Sequence, residues 1–322
     1  MIDSDVKLLL KSHVSGYYEI QHLRIIMGNR LVANFRAKLG IQPSKKESEA
    51  KEEAQKLLGD LRKSSKRISD AIAKKTRSKT VSFPGDKLIS SMSELVLVTT
   101  YSTMLKSEKA NFKQMEELVE EFRIWTDHLK DIRGCGATMA SCIIAKLDPH
   151  KARYPSSFCK YAGLDVGPDG KGRNRSKEHL VETTYTARDG STKKKMGITY
   201  NDWLRSKLIG VLAESFIKQK SDYTAYYYAK KHEMQNDPRC AGMSKGHIDA
   251  RAKRFMIKNF LADLHTAWRK IEGLPAPPPY HEGIQGHVHS LEQFQKIVEE
   301  NGLGPKKKEE KKEKKARKRK AA

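Results

Sequence analysis

The sequence predicts a mainly α-helical protein: a helical bundle with a helix-hairpin-helix element, a long helical amino-terminal region and a disordered basic tail. Apolar residues recur at spacings of three and four through most of the chain, the pattern of helices with one buried face. The one stretch read as a strand is Val181–Thr186, in a hairpin turned at Asp189-Gly190. Lysine and arginine crowd the segment from Lys306 to Lys320, a composition that cannot build a core.

From about Val6 to Phe35 the pattern is helical, with Leu23, Ile26, Arg30 and Ala33 recurring along one face. Between Ser44 and Lys79 charges alternate along a helix with few large apolar side chains. That stretch reads as a projecting arm, and as the segment through which copies of the chain would form a homo-oligomer. Asp86 to Leu105 is more apolar. Phe112, Met115, Leu118, Val119, Phe122, Trp125 and Leu129 then repeat as one amphipathic rod that delivers the chain to a glycine-containing hairpin at Leu129–Ala145.

Pro149 stops the second helix of that hairpin, and Pro155-Ser156-Ser157 starts a short helix that runs to Tyr161 and ends at Gly163. Three longer helices are expected at Asn201–Lys220, Asp222–Glu233 and Ser244–Ile271. The last carries the row Ala252, Met256, Phe260, Leu264, Trp268 and a basic shoulder at Arg251, Lys253, Arg254 and Lys258. Tyr223, Tyr226, Tyr227 and Tyr228 could stack on unpaired bases, but at helical spacing they read as core with wet hydroxyls. Gly273 to Tyr280 is a stiff linker, followed by a small helix capped by Ser290 and Gln293 and ended by Gly302. The resulting divisions are a helical arm over 1–80, a helical core over 81–272, a linker and small helix over 273–304, and a lysine-rich tail over 305–322. The core holds the hairpin (129–145) and a basic loop (165–197).

Sixty-three lysines and arginines against 39 acidic residues leave a formal charge of +24. The tail from Lys306 to Lys320 accounts for +8, so the body is basic as well. Charge of this sign favours polyanions through counterion release, which makes DNA the first expected partner and RNA the second. No apolar run approaches the eighteen residues of a spanning helix, so no membrane partner is expected. Met1-Ile2-Asp3-Ser4-Asp5 opens the chain without a secretory leader, which predicts a cytoplasmic protein, nucleoid-associated if prokaryotic or viral. Cys135, Cys142, Cys159 and Cys240 lack zinc-ligand spacing and read as reduced thiols. His287 and His289 read as an exposed loop, and no metal ligand set or cofactor motif stands out.

The hairpin carries the most specific chemistry. Gly134 and Gly136 can turn the chain sharply and bring it close to a partner. Ala137 and Thr138 then open a helix whose unpaired amides and dipole face outward, where a phosphate can sit. Contacts of this kind position a protein on nucleic acid without reading bases. The neighbouring loop adds Lys171, Arg173, Arg175, Lys193, Lys194 and Lys195, and the stretch from Lys171 to Lys195 carries +5. Together these residues are the candidate nucleic-acid site. The plainer reading is a helical hairpin with glycine at the helix end beside a solvated loop.

From Leu129 onward the order of elements resembles the carboxyl-terminal half of the bridge-RNA-guided DEDD insertion-sequence transposases. The pieces are Ile132-Arg-Gly-Cys-Gly136, Arg153-Tyr-Pro-Ser156, Tyr161-Ala-Gly-Leu164, Lys195-Met-Gly197 before Trp203-Leu-Arg205, Tyr226-Tyr227, and Ala252-x-Arg254-Phe255, over about 140 residues. The resemblance implies a DNA partner and, in an active member, a RuvC-like nuclease domain with acidic metal ligands and a serine nucleophile in the glycine-rich loop. Here the first 120 residues read as helical, without the alternating strands of a RuvC-like domain. Where the serine is expected, the chain has Gly167-Pro168-Asp169-Gly170, and Ser176, ahead of Ser191, is the best candidate catalytic hydroxyl. Asp165, Asp169, Glu178, Glu182 and Asp189 are carboxylates that spacing alone does not gather.

The expectation is therefore a DNA-binding protein that grips backbone with little sequence specificity and lacks the full recombinase site. The alternatives are an active transposase or strand-exchange nuclease, the only case that calls for Mg2+, and an RNA-binding or scaffold protein.

Overall fold

The computed structural model describes residues 4–75, 82–167, 169–278 and 290–304. The lysine-rich tail, His287, His289, Tyr280 and Pro168 lie outside the described residues. The chain is mainly α-helical and divides into two compact units, Ser4–Leu118 and the residues from Val119 onward.

The first unit consists of α1 (Ser4–Leu39), α2 (Glu47–Lys75) and α3 (Met92–Val119), the last of which ends at the boundary. Gly40, at φ +66°, ends α1 in the left-handed conformation that glycine adopts without strain. Leu31, Phe35, Leu61, Ile68, Leu95, Val98 and Tyr101 form one core, so all three helices contribute to it. Each fully buried leucine or isoleucine in such a core contributes about 1.5–3 kcal/mol. This differs from the projecting arm expected for α2, and from a boundary near residue 80. The buried stripe of α2 is interrupted by Ser64 and Ser65, which hides its continuity in sequence. Ser64 Oγ is not orphaned, because it donates to Asp86 Oδ2 at 2.5 Å. The same carboxylate group accepts from the amides of Leu88 and Ile89, at 2.9 and 2.8 Å, and so fixes the approach to α3.

In the second unit the expected rod ending at Leu129 is broken. α3 stops at Val119, the Phe122 amide donates to Val119 O, Phe122 is extended, and only a short α4 (Arg123–Thr126) follows. A turn closed between residues three apart also keeps Val119 and Phe122 on one side, so both are fully buried despite the break. Beyond it come α5 (Ala137–Lys146), α6 (Pro155–Tyr161), the antiparallel strands β1 (Val181–Thr186) and β2 (Thr192–Gly197), and α7 (Asp202–Lys207). A π-helical turn at Leu208–Leu212 joins α7 to α8 (Ala213–Gln219), and then follow α9 (Thr224–Asn236), α10 (Lys245–Ile271) and α11 (Leu291–Glu300).

Helix α10 is the centre of this unit. Ala252, Met256, Phe260, Leu264 and Trp268, four apart, are all at most 2% exposed. Phe216 stacks on Tyr223 at 5.5 Å and meets Phe260 edge-on at 5.3 Å, and Tyr226 packs against Phe294 of α11 at 4.8 Å. Tyr223, Tyr226 and Tyr227 are thus core, not a stacking platform for bases. Asn201, Ser244 and Ser290 cap α7, α10 and α11 by accepting from the amides of Leu204, His247 and Gln293. Among the described residues no helix is long and apolar enough to cross a membrane.

Candidate nucleic-acid interface

Gly134 and Gly136 turn the chain in different surroundings. Gly134 has φ +92° and is half-buried, and a Cβ there would lie 3.1 Å from the Phe216 ring and 3.2 Å from the Ser215 backbone. Ser215 Oγ donates to its carbonyl oxygen at 2.8 Å. This glycine therefore serves the close approach of the hairpin to α8. Gly136 is exposed, has nothing within 4 Å of a Cβ position, and heads α5 with no side-chain cap. The amides of Ala137 and Thr138 follow in the first turn, where a helix supplies no acceptor of its own. Both residues are half-buried.

The element before Gly134 is a single 3-10 turn, Leu129–Asp131, in place of a first helix. Beside it lies a cavity of about 320 Å3 bordered by Asp127, Asp131 and Asp222, with Arg133 and His128. Burial pushes the His128 imidazole below its ordinary pKa, against the pull of Asp131. Three carboxylates at the rim repel phosphate. The open face of the hairpin is thus the Gly136 side alone.

The basic loop is tied down from within. Arg173 is paired with Asp165 at 2.7 Å, with only 14% of its side chain exposed, and its carbonyl accepts from Arg205 at 2.9 Å. Arg175 pairs with Asp202. His179 is 1% exposed, and its Nδ1 accepts from the Asn174 amide at 3.0 Å. That bond puts the ring proton on Nε2, which donates to Asp169 at 2.9 Å. The Asp169 carboxyl is held below its usual range, first by the Lys171 amide and then, against a burial penalty, by His179. Gly172 leaves room for the Arg254 guanidinium, which would lie 2.5 Å from a Cβ at that position. Arg173 and Arg175 thus shape the loop, whereas Lys171 is exposed and makes no ion pair among the described residues.

The ribbon β1–β2 projects the remaining lysines. Its turn is closed by the Ala187 amide to Ser191 O at 2.8 Å, with Gly190 left-handed at φ +79°. The register places Tyr185 opposite Lys193 and Thr183 opposite Lys195, so these four share one face. Lys194, opposite Thr184, stands on the other face and pairs with Glu182 at 2.8 Å. Lys195 Nζ lies 5.0 Å over the Tyr185 ring, and that ring is 42% exposed. Lys193 reaches Asp189 at 3.3 Å. Nearly every ribbon residue is exposed on both faces. Thr183 Oγ1 donates to Lys195 O at 3.1 Å and would lie 2.9 Å from a Cβ at residue 197, so a side chain there would have to displace that hydroxyl.

The catalytic candidates are not brought together. Ser176 is exposed, its amide donates to Asn174 Oδ1 at 2.7 Å, and its hydroxyl has no acid or base in hydrogen-bond reach among the described residues. Asp165, Glu182 and Asp189 each answer a neighbouring basic side chain. Among the described residues no three His, Cys, Asp or Glu side chains gather as a metal site. On the basic shoulder of α10, Lys253 is occupied by Glu214 at 2.6 Å and Asp249 at 2.5 Å. Sequence reasoning did not assign Asp202 and Arg205 to the loop, since each acts across turns of chain that no local pattern joins, and gave His179 within it no role.

No family model, curated protein or solved structure matches the chain.

Proposed function

We propose that the unit from Val119 onward binds nucleic-acid backbone, with duplex DNA as its partner and little sequence preference. The observation that supports this most strongly is the exposed ribbon face on which Lys193 and Lys195 of β2 neighbour Tyr185 of β1. A lysine-bearing ribbon with no buried face contributes little to the core, and a two-stranded ribbon is narrow enough to enter a major groove. Lys171 and the Gly136 end of α5 supply further phosphate contacts. The formal charge of +24 supports the same class of partner. So does the resemblance of the segments from Ile132 to Phe255 to the transposase carboxyl-terminal half, which makes kinship with that family part of the proposal.

The test is competition between duplex DNA, single-stranded DNA and structured RNA for the full chain at one salt concentration. Duplex DNA is expected to compete best, with only weak dependence on its sequence. Preference for structured RNA would replace the partner, and binding insensitive to salt would overturn the reading.

A further inference from the structure

Beyond the carboxyl end of α5, a cavity of about 640 Å3 is walled by Arg153, Tyr154, Arg269 and the segment Pro275-Ala276-Pro277. None of these residues belongs to the ribbon or to the hairpin. Arg269 is only 6% exposed. Its Nη1 donates to the carbonyl oxygens of Pro149 and Ala152 at 2.5 and 3.0 Å, and its Nε to that of Pro275 at 2.5 Å. All three acceptors are neutral. Among the described residues no carboxylate pairs with Arg269, and its Nη2 has no acceptor.

A buried guanidinium held only by dipoles gains from an arriving anion, because its own desolvation is already incurred. A second cation stands at the rim. Arg153 is exposed, lies 5.4 Å from the centre of the Tyr154 ring, and likewise has no carboxylate partner among the described residues. His150 also borders the cavity, but Glu272 sits 3.7 Å from its Nε2 and answers its charge when it is protonated. The Arg153 fork and the remaining Nη2 of Arg269 therefore border a space in which neither has a carboxylate partner among the described residues. Beside them are the Tyr154 ring, 48% exposed, and a wall of proline.

We propose that this cavity binds a phosphomonoester carried on a nucleoside. The phosphate oxygens would bridge the exposed Arg153 guanidinium, which can match phosphate bidentately, and the single remaining Nη2 of Arg269. The nucleoside would lie against Tyr154 and the prolines, which offer aromatic and apolar surface. The same chemistry comes from two sources, a free nucleotide or the phosphorylated 5′ end of a strand. Duplex backbone has only diesters, so this site is separate from backbone binding by the ribbon.

The test uses the full chain and two short single strands of one sequence, one with a 5′-phosphate and one with a 5′-hydroxyl, with adenosine 5′-monophosphate as competitor. A lost charge-assisted pair is worth about tenfold in affinity or more. If strand ends are the source, the phosphorylated strand binds about tenfold tighter than the hydroxyl strand, on that same basis. If free nucleotides are the source, the monophosphate binds saturably by itself. In either case R153Q removes the effect, whereas K193Q/K195Q leaves it intact. Because Arg153 is exposed and does not take part in the Arg269 clamp, R153Q should melt like the parent chain. Equal affinity for the two strands without saturable monophosphate binding would overturn the proposal, as would a phosphate effect that survives R153Q.

Discussion

Removing Lys193 and Lys195 together tests whether the ribbon presents a single working face. Both side chains lie on the Tyr185 face, two residues apart, hence about 6.8 Å along an antiparallel strand. Neither is held by a strong partner, since an exposed ion pair such as that of Lys193 with Asp189 is worth about 0–1 kcal/mol. Each phosphate contact adds about 0.9 to the slope of log affinity against log salt, so K193Q/K195Q should flatten that slope by about 1.8. Between about 50 and about 200 mM salt the parent chain should then lose roughly tenfold more affinity than the variant. Lys194 faces the other way and is paired with Glu182, so K194Q should change the slope by much less than half of that amount. Fluorescence anisotropy with a labelled duplex across a salt series measures all three. A K194Q effect reaching half that of the double variant, or a slope unchanged in the double variant, would refute the one-face reasoning.

The two hairpin glycines should separate packing from exposure: G134A forces a left-handed alanine against Ser215 and Phe216 and should destabilise by about 1–3 kcal/mol, while G136A should be close to neutral in a thermal melt. Equal effects would show that the α8 contact is not what constrains Gly134. Burial alone would raise the Asp249 carboxyl, but hydrogen bonds from Lys253, Tyr227 and Lys231 outweigh it and hold it at about 2. A depressed carboxyl stabilises above its unfolded pKa of about 3.9 and loses that contribution as pH falls through its folded value, so D249N should melt with a shallower pH dependence between about 4 and about 2. Identical pH profiles would remove this network from the acid response. Burial pushes the thiol of Cys135 up to about 12 and that of Cys159 up to about 11, so neither should be alkylated at neutral pH faster than the protein opens. Rapid labelling of the native protein at either position would contradict that burial.

What could be read in the sequence was local. The five-residue row of α10, the turn at Asp189-Gly190 and the serine cap of α11 each depend on neighbours within a few positions. The glycine hairpin was legible as a bend, but not that Gly134 would be pressed against Ser215, 81 residues later. Periodicity also misjudged the stretch from Phe112 to Leu129, because a tight turn at Val119–Phe122 preserves the spacing that a helix would. The weight placed on Arg173 and Arg175 came from charge alone, whereas ion pairs with Asp165 and Asp202 make them braces of the loop. Nothing in the sequence marked Arg269, whose role depends on three carbonyls that only the folded chain brings to it.

The fit of Gly197 against Thr183 has a consequence for the charge pattern of the ribbon. Strand side chains alternate, so a shift of pairing by one position would turn Lys193 and Lys195 away from Tyr185 and put Lys194 in their place. A ribbon without a hydrophobic underside leaves that choice to its closed turn and to close contacts such as this one. A side chain at residue 197 would have to displace the Thr183 hydroxyl, and with it one of the contacts that hold Lys193 and Lys195 on the side the molecule offers to the outside.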